Sequence, residues 1–380
     1  MTTVLPSWLD VGEWPSRSSA TGDAATLSAI GSESVGIREF ASLISPHADR
    51  FLENMAQRAM AMTRRHFGRT ISLYVPLYLS NHCQGGCAYC GFASDRSIPR
   101  HKLDRAVLLS ELKELKGMGF ENLLLLTGER TEESGFDYLL ECVSLASRHF
   151  HNVTVESFAM TAAEYARLVK AGCTGITLYQ ETYDPTAYSV FHRWGPKREF
   201  LFRLEAPERA LAAGMRTVGL GVLFGLADPI LDCLRLYRHI HHLRKKFWQA
   251  GVLVSFPRIR TQQGGFQAPC PVNDTALARL IFAFRLALPE TPLVLSTRES
   301  PAFRDGIAGI GITRMSVASR TTVGGYSAPP PGDTGQFDVN DQRDVTTFCQ
   351  ALRAKGLEPV FKNWDSVFQP SSDLVPADAG

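Results

Sequence analysis

Several marks of a membrane protein, a nucleic-acid binder or a secreted disulfide scaffold are missing from this chain. No apolar run reaches the roughly 18 residues a spanning helix needs, so the 44% of residues that are hydrophobic must be spent on a core. Charge of one sign is also lacking: 40 basic and 38 acidic residues leave a formal net charge of +2, with no basic stripe to follow a phosphate backbone. The densest basic group, His239-Ile-His-His-Leu-Arg-Lys-Lys246, reads as the solvated end of an amphipathic helix. Asp10, Glu13 and Pro15 come where a signal peptide would place its basic and apolar blocks. Eight cysteines in 380 residues, most of them isolated, fit a reducing cytoplasm better than a disulfide framework. Gly219-Leu-Gly221 followed by Gly225 has GxGxxxG spacing and opens no evident helix, so it is not a dinucleotide fingerprint.

What is present is a long alternation of strand and helix patterns. Strands are expected at 71–80, 121–127, 152–158, 174–180, 216–223, 251–256, 292–297 and 312–318. Helices fall between them, at about 104–118, 135–149, 161–171, 199–213, 229–248, 274–287 and 301–308. Glycine stops at Gly119, Gly172 and Gly214 end three of these. Eight such units predict an α/β fold, a parallel (β/α)8 barrel, with its active site at the carboxyl ends of the strands. Residues 1–70 form a helical extension, with an apolar stripe at Leu52, Met55, Ala59 and Met62, and 71–320 form the barrel. Residues 321–380 supply a lid around Gly324-Gly-Tyr-Ser-Ala-Pro-Pro-Pro-Gly332, a helix near 343–355, a short strand at Glu358–Phe361 and a tail.

The loop after the first strand carries Cys83-Gln-Gly-Gly-Cys87-Ala-Tyr-Cys90, three thiols in CxxxCxxC spacing. Such a triplet can hold three corners of a [4Fe-4S] cluster. Cubanes are normally held by four cysteines, so the fourth iron is left open to another molecule. A structural zinc site is the alternative, but zinc usually takes two CxxC or CxxH pairs and no second pair follows. Cys142, Cys173, Cys233 and Cys349 lie in apolar helical or strand contexts and read as core. Cys270, between two prolines, has no assigned role.

The triplet resembles the signature of radical S-adenosylmethionine (SAM) enzymes. A longer set of motifs, in order over about residues 40–368, resembles their aromatic amino-acid lyase branch, and within it the tyrosine lyases of thiamine thiazole biosynthesis. These motifs are Tyr74-Val-Pro-Leu-Tyr-Leu-Ser-Asn81, Tyr89-Cys-Gly-Phe92, Leu126-Thr-Gly-Glu129 and Tyr179-Gln-Glu-Thr-Tyr183. They continue with Ser255-Phe-Pro-Arg258, Leu295-Ser-Thr-Arg-Glu-Ser-Pro301 and Lys362-Asn-Trp-Asp365. The resemblance implies a cluster on Cys83, Cys87 and Cys90 that binds SAM, whose reductive cleavage gives methionine and a 5′-deoxyadenosyl radical. That radical would take hydrogen from the amine of L-tyrosine, and breaking Cα–Cβ would release p-cresol and 2-iminoacetate (dehydroglycine). It further implies a flavodoxin or ferredoxin reductant and a thiazole synthase that receives the imine. No nucleic-acid or membrane partner is expected.

The resemblance also assigns residues. Glu129 and Glu181 would contact SAM, Arg203 would pair with its carboxylate, and Gly221 would lie by the adenine; tight strand–loop packing explains such glycines equally well. Tyr78 would stand beside the substrate amine, against the alternative of a buried barrel tyrosine. Arg298 would fork onto the substrate carboxylate with Ser316 and Ser319, or instead pair with Glu299 as a structural bridge. Two stretches depart from the family pattern: Ala93-Ser-Asp-Arg-Ser-Ile-Pro99 carries different charges, and Thr261-Gln-Gln-Gly-Gly265 lacks a proline. Cleavage of tryptophan or another aromatic amino acid remains open. The hydrogenase-maturation relative holds a second cluster on late cysteines; only Cys349 follows the barrel here.

Overall fold

The computed structural model describes residues 4–262, 264–328 and 334–362. Eight parallel strands form the barrel wall: β1 Thr70–Tyr78, β2 Asn122–Leu126, β3 Asn152–Glu156, β4 Cys173–Thr177, β5 Thr217–Gly221, β6 Gly251–Ser255, β7 Leu293–Leu295 and β8 Arg314–Ser316. Each pairs with the next, and β1 closes the ring against both β2 and β8. The barrel is thus complete; six of its strands fall inside the segments expected from hydrophobic patterning, and β1 and β4 each begin one residue earlier.

Local signals set the helices around it. Asp104 accepts from Val107 N at 2.9 Å, Asn273 from Ala276 N at 2.8 Å, and Thr161 forms a capping box with Glu164. Gly119, Gly172 and Gly214 adopt φ of 91°, 96° and 103° where their helices stop, a conformation that Cβ-bearing residues rarely hold. The segment expected as one helix at 199–213 is two, Phe200–Leu204 and Ala206–Ala212, because Pro207 starts the second. An extra helix, Pro185–Phe191, sits in the loop after β4. Among the described residues no helix is long and apolar enough to cross a membrane.

The N-terminal helices pack outside the barrel. Ile37–Ile44 and Leu52–Phe67 lie on the barrel helices Pro229–Lys246 and Asp274–Ala287. Of the expected apolar stripe, Met55 and Ala59 are fully buried. The tail beyond 362, including most of Lys362-Asn-Trp-Asp365, lies outside the described residues, as do 329–333 of the proline-rich segment.

A ninth strand, β9 Glu358–Val360, pairs with Thr70–Ser72 of β1, while β2 pairs only with Val75–Tyr78. Because Ser72 also pairs with β8 on its other edge, β9 occupies the β2 side at the amino end of the barrel. Asn122 bridges this junction. Its amide donates to Leu73 O (3.2 Å) and Phe361 O (2.7 Å), and its oxygen accepts from Asn152 (3.0 Å). Asn122→Ala strands these buried groups, so stability should fall by about 1–3 kcal/mol, read as a lower urea midpoint. An unchanged midpoint would show that the bridge contributes nothing.

Candidate active site

The cysteine loop leaves β1 at the carboxyl face, where the fold places a barrel's chemistry. Backbone–side-chain bonds hold it. Arg100 donates to Asn81 O, Phe92 O and Ala93 O at 2.7, 2.8 and 2.6 Å, and Asn81 accepts from His101 N at 2.6 Å. A second segment runs against it, with Ala88 N on Phe191 O (2.9 Å) and Gly86 N on Trp194 O (3.0 Å). His192 donates from Nδ1 to Tyr188 O, so its Nε2 accepts the Tyr89 hydroxyl at 2.8 Å. The altered charges after the cysteines have a structural use: Asp95 pairs with Arg193 at 2.7 Å.

Cys83, Cys87 and Cys90 all face one cavity. Cys83 Sγ accepts the N–H groups of Gly85 and Glu129, each at 3.3 Å, contacts that favour a thiolate. Burial opposes this, pushing the free Cys83 thiol up to about 11 and Cys87 to about 12, so ligation to a metal must supply the deprotonation. Among the described residues no three His, Cys, Asp or Glu side chains converge as a single metal ion requires. Three thiols ringing one cavity instead fit the larger [4Fe-4S] group.

Beside the thiols lie four charges, three of them buried and the fourth, Lys197, half-buried. Glu181 Oε1 is 2.5 Å from Lys197 Nζ and 3.4 Å from Arg203 Nη2, and Arg203 Nη1 is 4.0 Å from Glu129. Burial raises both carboxyls; at Glu181, Lys197 and Arg203 outweigh it and hold the group below its ordinary value, while Glu129 stays raised. Lys197 was not marked by any sequence pattern. It follows Gly195-Pro196, whose fold brings it inward against Cys87.

A second, adjoining cavity of about 550 Å³ lies deeper in the barrel, and Tyr78, Glu156, Tyr179 and Arg298 line both. Tyr74, Pro76 and Tyr78 share this inner face, as strand alternation requires. Arg298 has no ion pair among the described residues: Glu299 is taken by Arg258 and Arg260 instead. The Arg298 guanidinium lies 3.3 Å from the Phe337 ring centroid. Ser316 and Ser319 line the same cavity; Ser316 Oγ accepts from Thr297 N at 3.2 Å, and the buried Ser319 hydroxyl has no partner among the described residues. Gly221 is not among the lining residues of either cavity, and a Cβ there would stand 2.8 Å from Tyr179 and Ser255 O. Packing alone therefore excludes a side chain at that position.

Glu156 is the acid the sequence patterns passed over. It ends β3 inside the barrel, and burial pushes it up to about 7, with Arg298 pulling it partly back. In the unfolded chain such a carboxyl titrates near about 4.3. The folded, cofactor-free protein therefore binds this proton more tightly, an advantage present at low pH and lost as pH rises through about 7. Glu156→Gln should raise the thermal midpoint more at pH 8 than at pH 5. Equal shifts at the two values would mean Glu156 does not titrate as its burial dictates.

The comparisons with known proteins agree with this geometry. Residues 77–235 match the radical SAM superfamily, and residues 255–358 match the biotin and thiamin synthesis associated domain. The chain is 42% identical over 326 residues to the 2-iminoacetate synthase of Salmonella typhimurium, covering 86% of each chain. It is 41% identical to the Escherichia coli 2-iminoacetate synthase, covering 88% of this chain and 89% of that one. The crystal structure of HydG, a maturase of the [FeFe]-hydrogenase, superposes with a TM-score of 0.89 at 29% identity, over 94% of this chain and 80% of that chain. At this identity and coverage, the chain belongs to the 2-iminoacetate synthase family of radical SAM enzymes.

Proposed function

We propose that the chain cleaves the Cα–Cβ bond of L-tyrosine to 2-iminoacetate and p-cresol, consuming SAM to methionine and 5′-deoxyadenosine, for thiamine thiazole biosynthesis. One observation carries the reading: the cysteine cavity adjoins a second cavity, with Tyr78 and Arg298, which has no ion pair among the described residues, at the join. Cys83, Cys87 and Cys90 would hold the cluster. Once bound, the cluster and SAM supply the one-electron chemistry that removes a hydrogen atom; the protein supplies placement and exclusion of water.

Glu129 and Glu181 offer carboxylates to SAM's amino group, and Arg203, reinforced by Lys197, offers positive charge to its carboxylate. The tyrosine carboxylate fits the planar fork of Arg298, with the unpartnered Ser319 hydroxyl and Ser316 beside it. Tyr78 then stands at the substrate amine. The imine hydrolyses readily in water, which supports hand-over to a thiazole synthase, and the electrons would come from a flavodoxin or ferredoxin. Both partners fit a cytoplasmic enzyme.

The test is product analysis with SAM, a reductant and each aromatic amino acid in turn. Tyrosine should give p-cresol and glyoxylate from the hydrolysed imine, with about four irons per chain, one cluster's worth. Consumption of tryptophan alone, or about eight irons, would assign the chain to another branch of the lyases. Arg298→Lys should keep uncoupled 5′-deoxyadenosine formation while p-cresol falls about 10- to 150-fold, the rate equivalent of about 1.5–3 kcal/mol for a charged hydrogen bond. Undiminished p-cresol would remove Arg298 from the substrate site.

A further inference from the structure

We infer that Gln336 is a positioning residue that fixes the direction of the Tyr78 hydroxyl, linking the substrate amine to a cluster sulfur through one directed chain of hydrogen bonds. The inference rests on the tyrosine-lyase reading above. Gln336 belongs to a strap that crosses the barrel mouth. Gln336 N donates to Thr321 O (3.0 Å), Gly91 N to Gln336 O (3.2 Å), Asp338 N to Thr261 O (3.0 Å) and Asp341 N to Thr297 O (3.1 Å). The strap meets the cysteine loop closely enough that a Cβ on Gly91 would lie 2.6 Å from Gln336 O.

From that seat the Gln336 side chain reaches in two directions. Its Oε1 is 2.8 Å from the Tyr78 hydroxyl, and its Nε2 is 3.5 Å from Cys90 Sγ. An iron-bound thiolate carries no proton and can only accept, so the amide nitrogen must face Cys90 and the amide oxygen must face Tyr78. The phenol's single proton is then committed to Gln336. Only lone pairs remain toward the cavity, so Tyr78 can accept from an amine N–H but cannot donate to a carboxylate. The next residue, Phe337, stacks on Arg298. Two consecutive strap residues therefore set both polar ends of the site, amine at Tyr78 and carboxylate at Arg298, and exclude the reversed pose.

The same chain reaches the cluster. An N–H donated to a ligand sulfur stabilises the reduced state and raises the potential. A substrate N–H added at the far end polarises the intervening bonds in the same sense. Tyrosine binding thus raises the cluster potential through Gln336.

EPR-monitored redox titration of the anaerobically reconstituted protein, with and without tyrosine, tests this directly, alongside equilibrium dialysis of labelled tyrosine. In the native protein tyrosine should raise the midpoint potential. Gln336→Leu should keep its iron content, show a lower midpoint, lose the tyrosine-induced shift and bind tyrosine at least about 10-fold more weakly. Tyr78→Phe, which preserves the ring, should likewise lose the tyrosine-induced shift, so the result does not hang on one variant. A tyrosine-induced shift in both variants equal to the native one overturns the relay. If the native protein still yields p-cresol, the lyase reading survives that result; if it yields none from tyrosine, the reading itself fails and the relay with it.

Discussion

Four charges share one pocket beside three thiols, and the rest of the site depends on how they are balanced. Lys197 and Arg203 are matched by Glu181 and Glu129, with the lysine–glutamate contact at 2.5 Å. Any one of them alone in that place would carry a desolvation penalty of several kcal/mol. Together they form a neutral, preorganised set, the one proposed above to meet the zwitterionic head of SAM. The tension is visible in the backbone: Glu181 sits at φ 71°, a left-handed conformation that costs a Cβ-bearing residue of order 1 kcal/mol or more. The following turn holds it there, since buried Asp232 accepts from Thr182 Oγ1 (2.9 Å) and Tyr183 N (2.6 Å).

The barrel and the strap divide the work of building the site. Strands β1, β3, β4 and β7 end in Tyr78, Glu156, the turn to Glu181 and the turn to Arg298, so rigid elements aim the polar groups at a common space. The strap closes that space from above and adds Gln336 and Phe337. Residues separated by 258 positions, Tyr78 and Gln336, thereby touch at 2.8 Å. Such closure removes water from the place where a hydrogen atom must be moved without side reactions.

Much of this was legible before any coordinates. Period-2 and period-3.6 patterns locate all eight barrel strands and most helices, because each element faces one continuous core. The cysteine spacing identifies the cluster loop, since its ligands are local in sequence. Groups assembled by long-range packing were not legible. Lys197 looks like a loop residue until Gly195 and Pro196 turn it inward, and Glu156 looks like an ordinary strand end until the barrel closes around it. Gln336 lies in a segment without periodicity, and its importance comes from contacts with Tyr78 and Cys90 that no local pattern encodes. Pro207 did announce the split of the 199–213 segment, but the helical stripe on either side masked it. Arg298 showed two possible partners in sequence; only packing decided that Glu299 belongs to Arg258 and Arg260.

In the proposed site, SAM lies in the cavity at the cysteine loop and tyrosine in the adjoining one, at the Tyr78–Arg298 junction. An anaerobic crystal structure of the cluster-loaded protein with SAM and tyrosine measures it most directly. Tyrosine's carboxylate should lie on Arg298 and its amine within hydrogen-bond reach of the Tyr78 oxygen, facing SAM across the join of the two cavities. Tyrosine bound outside this junction, or with its carboxylate toward Tyr78, would contradict it.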